Sequence, residues 1–207
     1  MLYIIDNINL LDDDFPERKK SLLSKERQIK SKRLRSLKNK KASVAAYLLL
    51  RIALKEMYEI TDIVEFSYED KGKPLLRDYP GVHFNLSHSG NIAACIVADN
   101  KVGVDVQQIT AVSEKVAKRV LTKAEFAEYK NSQTPDEYFC KVWTIKESFL
   151  KYSGQGITME LKEISADTLQ DTLTFKGEGY FCSVYGAIMK EIQIKRIGRE
   201  DFEQLSS

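Results

Sequence analysis

Trp143-Thr144-Ile145-Lys146-Glu147-Ser148-Phe149-Leu150-Lys151 is the stretch on which the reading of this chain turns. On a helix, residues four apart share a face, which stacks Trp143, Glu147 and Lys151 in one column with Lys146 one step around. A carboxylate flanked by ammonium groups and an indole is suited to hold a metal and a phosphate together. It is equally suited to a surface salt bridge beside a core tryptophan, since Glu–Lys pairs at this spacing are common helix decoration. Thr134-Pro135-Asp136-Glu137 reads as a capping box with proline at the first helical position, and Gly154 sits where a C-terminal cap belongs. The stretch therefore lies near the middle and end of a helix over about 135–152.

Upstream, Val102-Gly103-Val104-Asp105-Val106 reads as a strand with its valines on one side and Gly103, Asp105 and Gln107 on the other. A lone aspartate in an apolar strand is costly unless it is paired or bound to metal. Before it come Phe84-Asn85-Leu86-Ser87-His88-Ser89-Gly90-Asn91 and a second apolar strand over 92–98. Ser87-His88 does not make a hydrolase: a nucleophilic serine needs a base positioned in space, and no Gly-x-Ser-x-Gly elbow surrounds Ser87. His83, the other histidine, reads as packing or surface. Lys71-Gly72-Lys73-Pro74 is a loop whose lysines and free amides offer an anion cradle, or an ordinary polar turn.

The first forty residues carry the other strong signal. Twelve Lys or Arg residues stand between Arg18 and Lys41 against one acid, Glu26, although the net charge of the chain is only +2. Such a block in a near-neutral protein points to a dedicated anionic partner, the alternatives being a solvated helix face or nucleic acid. It lacks interleaved aromatics for base stacking, and no nucleic-acid-binding motif accompanies it. The block reads as a helix over 24–38, followed by a buried helix over 44–58 capped by Ser43. A strand is expected over 2–8. Two helices are expected over 110–130, the second opened by a Thr122–Glu125 capping box, and strands over 173–175, 180–185 and 191–197.

With 207 residues and 43% hydrophobic content, the chain can build one large or two small cores. Cys95, Cys140 and Cys182 are odd in number and widely spaced, which gives neither a disulfide framework nor a zinc pattern and suits a reducing cytosol. No apolar run approaches a membrane span, and the N-terminus lacks a signal's basic region, so it reads as the first strand of a mature cytoplasmic protein.

Asn85-Leu86-Ser87-His88-Ser89, Val102-Gly103-Val104-Asp105-Val106 and Trp143-x-x-Lys146-Glu147-x-x-x-Lys151, in that order, resemble the 4′-phosphopantetheinyl transferases of the surfactin type. The resemblance spans most of the chain and implies an α+β fold of two similar fused halves, a pseudo-dimer over 1–100 and 101–207 with the active site between them. One chain then suffices as a monomer. It implies transfer of the phosphopantetheine arm of coenzyme A, with magnesium, to a serine of an apo carrier protein. The other product is 3′,5′-adenosine bisphosphate. Nucleic acid and membrane are not expected partners.

The resemblance also implies roles. Asp105, Gln107 and Glu147 would hold magnesium, a hard cation that takes few protein carboxylates and keeps waters and substrate phosphates. Glu147, directly or through a metal-bound water, would take the serine proton, while Lys151 and Lys146 stabilise charge on the phosphates. Arg27, Lys30 and Ser43 would hold the 3′-phosphate side. Lys71, Gly72, Lys73, Pro74, Leu75 and Leu76 would embrace the adenine end, and His88, Ser89, Gly90 and Asn91 would line the nucleotide and pyrophosphate.

Two positions depart from the family pattern. Gln107 stands where the strand usually reads Asp-x-Glu, so its neutral amide either ligates weakly or holds a metal-bound water. Ala42 stands where an arginine often precedes the buried helix, with Lys41 adjacent as a substitute. The remaining rivals are a nucleic-acid module using 18–41 and a different magnesium phosphotransferase acting on a nucleotide.

Overall fold

The computed structural model describes residues 1–155, 160–186 and 192–205. Strand β1 (Leu2–Ile5) leads through two short 3-10 turns and α1 (Phe15–Arg18) to α2 (Lys25–Arg33) and the long α3 (Leu37–Tyr58). A small hairpin, β2 (Phe66–Tyr68) and β3 (Pro74–Leu76), precedes β4 (His83–Ser89), β5 (Ile92–Ala98) and β6 (Gly103–Gln108). Helices α4 (Glu114–Val120), α5 (Lys123–Asn131) and α6 (Pro135–Ser153) follow, then β7 (Thr172–Gly177), β8 (Tyr180–Tyr185), β9 (Ile194–Arg196) and α7 (Arg199–Glu203).

Two halves of like plan result, each a long helix laid on antiparallel strands. In the first, α3 covers a sheet ordered β4-β5-β1-β9; it is apolar nearly all round because sheet, hairpin and α2 enclose it. In the second, α6 crosses a sheet ordered β6-β8-β7. The sheets meet through Leu2, Ile4 and Ile96 on one side and Val102, Val104 and Val106 on the other. The expected alternation in β6 is thus realised, and its polar side is turned to α6. The tail returns to the first half: β9 pairs parallel with β1, and Phe202 of α7 meets Phe15 edge-on at 5.5 Å.

β4 and β6 are the facing edges of the two sheets, and side chains join them where a ladder would otherwise run. Asn85 Oδ1 accepts from Val104 N (3.1 Å), Ser87 Oγ from Val106 N (3.2 Å) and Ser89 Oγ from Gln108 N (3.2 Å). Three alternate polar residues on one strand thereby satisfy three alternate amides on the next. The opposite face of β4, with Phe84, Leu86 and His88, looks to the first core and the cleft. Gly103 sets the other contact of β6. A Cβ there would lie 2.1 Å from Ser148 O and 2.4 Å from Tyr152 N, so only glycine lets the backbone of α6 come this close.

Several local expectations are corrected. The helix expected over 24–38 ends at Arg33, and α3 starts at Leu37, so Ser43 lies inside α3 and caps nothing. The cap of α2 is Ser24, whose side chain accepts from Arg27 N. Thr134 makes no capping hydrogen bond: Asp136 accepts from Val112 N and Glu137 pairs with Lys176 (2.6 Å), so tertiary partners take the groups that would have closed the box. The Thr122–Glu125 capping box forms in full. Of the strand expected over 191–197, Ile194–Arg196 is observed and Glu191 lies outside the described residues.

Candidate active site

Two adjoining cavities, of about 340 and 310 Å³, share Arg27, Lys30, Leu86, Glu147 and Lys151 and form one cleft between the halves. The inner part is built on β6 and α6. Asp105 is buried, and its Oδ1 accepts from Lys151 Nζ (2.7 Å) and Ser87 Oγ (2.8 Å). Lys151 also donates to Ser87 Oγ (2.9 Å), which closes a three-way contact. Asp105 Oδ2 is buried with no partner. Glu147, one turn before Lys151, has its carboxyl raised above the ordinary range by burial and then by the charge of Asp105, against the pull of Lys151. Gln107 and Trp143 line the same cavity; the indole stacks on Phe139 at 5.9 Å, which fixes that wall.

The outer part is basic. Arg27 is buried and donates to Ser43 O (2.8 Å) and Ser43 Oγ (3.1 Å), with its guanidinium over the Tyr47 ring. Lys30 stands at the rim, its ammonium pulled below the usual lysine range by the protein around it and by Arg27. His88 is held at about 4 by burial of its ring and by Lys151, Lys30 and Arg27. His88 as a residue is exposed, so its neighbouring cations weigh more than burial in keeping the ring neutral. Lys71, Gly72 and Pro74 line the outer cavity from the hairpin side, with Gly72 in the left-handed region at φ 86°.

Other expected residues lie elsewhere. Lys146 is not brought to the cleft. Its ammonium is fully buried on the far side of α6, donating to Glu125 Oε2 (2.5 Å), Val120 O (2.9 Å) and Leu161 O (3.1 Å). The step of about 100° from Glu147 that separates neighbours on a helix explains the difference. Lys73 lends only its stem to the cavity: its ammonium donates to Val102 O (3.2 Å) and Tyr152 O (2.9 Å) and so caps the end of α6. Burial, then Lys101, draws it down to about 8. Lys41 is no substitute for an arginine at Ala42, because it is spent on Leu11 O (2.9 Å) and Asp13 (2.6 Å). Leu76 is in the core, and Leu75, Ser89, Gly90 and Asn91 line neither cavity. Ser89 serves the β4–β6 joint, and Gly90 takes a left-handed φ of 57° against Gln108.

Sequence reasoning missed Ser87, Asn85 and Glu125. The alternation Asn85-x-Ser87-x-Ser89 was a usable signal, since polar residues at every second strand position need partners on one side. It also disposes of the hydrolase reading: Ser87 and His88 sit on opposite faces of β4, and the Ser87 hydroxyl goes to Asp105.

Among the described residues no three His, Cys, Asp or Glu side chains cluster. Asp105 and Glu147 nevertheless suit a hard divalent cation. One carries an orphaned buried oxygen and the other feels its neighbour's charge, and a magnesium ion relieves both conditions while needing only one or two carboxylates. Gln107 donates its amide nitrogen to Gln108 O (3.2 Å), which leaves its oxygen as a third, neutral donor.

Known families match both halves. Residues 13–101 match the model described as 4′-phosphopantetheinyl transferase, N-terminal, and residues 101–192 that of the 4′-phosphopantetheinyl transferase superfamily. The chain is 30% identical over 164 residues to the 4′-phosphopantetheinyl transferase Sfp of Bacillus subtilis, covering 78% of this chain and 73% of that one. It is 30% identical over 183 residues to the 4′-phosphopantetheinyl transferase gsp of Aneurinibacillus migulanus, covering 79% and 76%. Identity to the 4′-phosphopantetheinyl transferase HetI of Nostoc sp. is 40% over 111 residues, 49% of this chain and 46% of that one. With α6, β4, β6 and the cleft-lining residues all inside the matched residues, this chain belongs to the 4′-phosphopantetheinyl transferases of the Sfp type.

Proposed function

We propose that this enzyme moves 4′-phosphopantetheine from coenzyme A to a serine hydroxyl of an apo acyl or peptidyl carrier protein, working as a cytoplasmic monomer whose halves divide near residue 101. The observation that carries the reading is the single cleft in which Asp105, Glu147 and Lys151 adjoin Arg27 and Lys30. It pairs a carboxylate site for a cation with a basic wall for a polyanion. In the division of labour, Arg27 and Lys30 hold the 3′-phosphate side, with Ser43 keeping Arg27 in place, and the hairpin residues Lys71, Gly72 and Pro74 flank the base. Glu147 takes the proton from the serine hydroxyl. The serine oxygen bonds to the phosphorus on the pantetheine side as that phosphorus loses its bond to the bridging oxygen. 3′,5′-Adenosine bisphosphate leaves with the negative charge, and Lys151 stabilises that charge. Asp105, Glu147 and Gln107 would hold magnesium, which supplies charge neutralisation on the pyrophosphate when bound.

Mass spectrometry of apo carrier protein incubated with this enzyme, coenzyme A and magnesium tests the reading. A phosphopantetheine adduct is expected; its absence across fatty-acid, polyketide and peptide carriers would sink the assignment.

Two further outcomes follow from the site. Gln107→Glu adds a charged donor, so the magnesium concentration giving half-maximal rate should fall by about threefold or more; identical titrations would remove Gln107 from the metal site. His88 and His83 are the only histidines, so proton NMR resolves them. Saturating 3′,5′-adenosine bisphosphate should move the His88 midpoint upward from about 4, by about one pH unit or more. By linkage the nucleotide then binds more tightly as pH falls through that range. A His88 midpoint indifferent to the nucleotide would place the anion elsewhere.

A further inference from the structure

Among the described residues, Tyr68 is the one large aromatic at the cleft mouth that no core uses. It ends β2, where Phe66 and Tyr68 share a face and pair with Leu76 and Pro74 of β3. Phe66 is buried and packs on Phe84 at 5.0 Å, whereas Tyr68 is 50% exposed and belongs to none of the apolar clusters. Its hydroxyl is what tethers it. The O–H donates to Glu26 on α2, across the cavity that Phe66, Pro74, Arg27 and Lys30 line.

Glu26 is the single acid in the basic block, and its position makes the tether informative. It stands one turn before Lys30, the spacing at which a helix salt bridge would form. No ion pair joins them among the described residues, and the Glu26 carboxylate is occupied by Tyr68. Lys30 is therefore left to face the cleft, and the phenol ring is fixed as a bridge between hairpin and helix. An exposed ring beside an apolar floor and a cationic wall presents a flat π-face a short way from phosphate-binding groups. That combination suits a planar base joined to phosphates.

We propose that Tyr68 is a specificity-determining residue of the nucleotide cleft: its ring stacks on the adenine of the donor, and Glu26 locks it in that pose. The inference rests on the coenzyme A reading and adds to it the residue that recognises the base.

Calorimetry separates the two. 3′,5′-Adenosine bisphosphate and inorganic pyrophosphate are titrated into the unaltered protein, Tyr68→Phe and Tyr68→Ala, with thermal melts to confirm that this exposed position leaves the fold unchanged. Tyr68→Ala should weaken nucleotide binding about tenfold or more, the size of one lost base–aromatic stack, and pyrophosphate binding by less than about twofold. Tyr68→Phe keeps the ring and loses the tether, and should stay within about fivefold of the unaltered protein. Equal effects on both ligands, no effect on either, or a Phe variant as weak as the Ala variant would each overturn the assignment of the ring. Failure of the unaltered protein to bind the nucleotide would instead overturn the coenzyme A reading, and this proposal with it.

Discussion

Glu147→Gln is expected to lower phosphopantetheine transfer by about 10²–10⁴-fold and to leave the melting temperature equal or slightly raised. The two parts come from one environment. Among the described residues no hydrogen bond holds the Glu147 carboxylate, so the fold does not depend on it. Its carboxyl is raised by burial and by Asp105, which means that the charged form is disfavoured in the native state. A folded midpoint above the unfolded one costs stability once pH exceeds the unfolded value, and the neutral amide removes that cost. In the proposed mechanism the same substitution deletes the base and one charged metal donor. Turnover and melting therefore move in opposite directions, which a merely misfolded variant cannot imitate. Initial rates with an apo carrier protein and a thermal melt decide it. Turnover retained within tenfold would take Glu147 out of the chemistry, and a collapse in stability would make it a structural residue.

How far the sequence displays this site depends on which groups are aligned by one element and which by several. The column Trp143, Glu147, Lys151 is a property of one helix, and the face of β6 carrying Asp105 is a property of one strand. Periodicity alone finds both. Whether Lys146 joins them is decided outside the helix. The pocket made by Val120, Glu125 and Leu161 takes its ammonium, and no local pattern in 143–151 reveals that acceptor. Ser43 shows the same limit. Serine before an apolar run has the signature of a cap, yet the helix begins six residues earlier, at Leu37, and its first turn is solvent-facing and mostly polar, which hides its start from a reading of the apolar run. The tail strand β9, whose partner β1 lies at the other end of the chain, leaves no local trace of its pairing.

Lys146→Met should cost about 3–5 kcal/mol of stability, lowering the melting temperature by roughly 10 °C, while kcat measured well below the melt stays within about tenfold. The buried ammonium gives its hydrogen bonds to the Glu125 carboxylate and the Val120 carbonyl, both in buried contacts, and to the part-buried carbonyl of Leu161. Those groups belong to the end of α4, the first turn of α5 and the segment after α6, so one side chain ties three connections to α6. Glu125 itself is held by Thr122 N (2.8 Å) and Ala166 N (2.8 Å), and without Lys146 it would be left as a buried charge with only amides for company. Most of the loss is therefore the uncompensated partner. It follows that Glu125→Gln combined with Lys146→Met should be more stable than the sum of the single losses, by about 1 kcal/mol or more, since contacting residues couple on that scale. Additive losses would mean that the pair does not act as a pair. A Lys146→Met enzyme of unchanged stability but abolished transfer would return Lys146 to the phosphates. The geometry puts the division between the two lysines of this helix at Glu147: Lys151 on its side lines the cleft, and Lys146 on the other ties the helix to its neighbours.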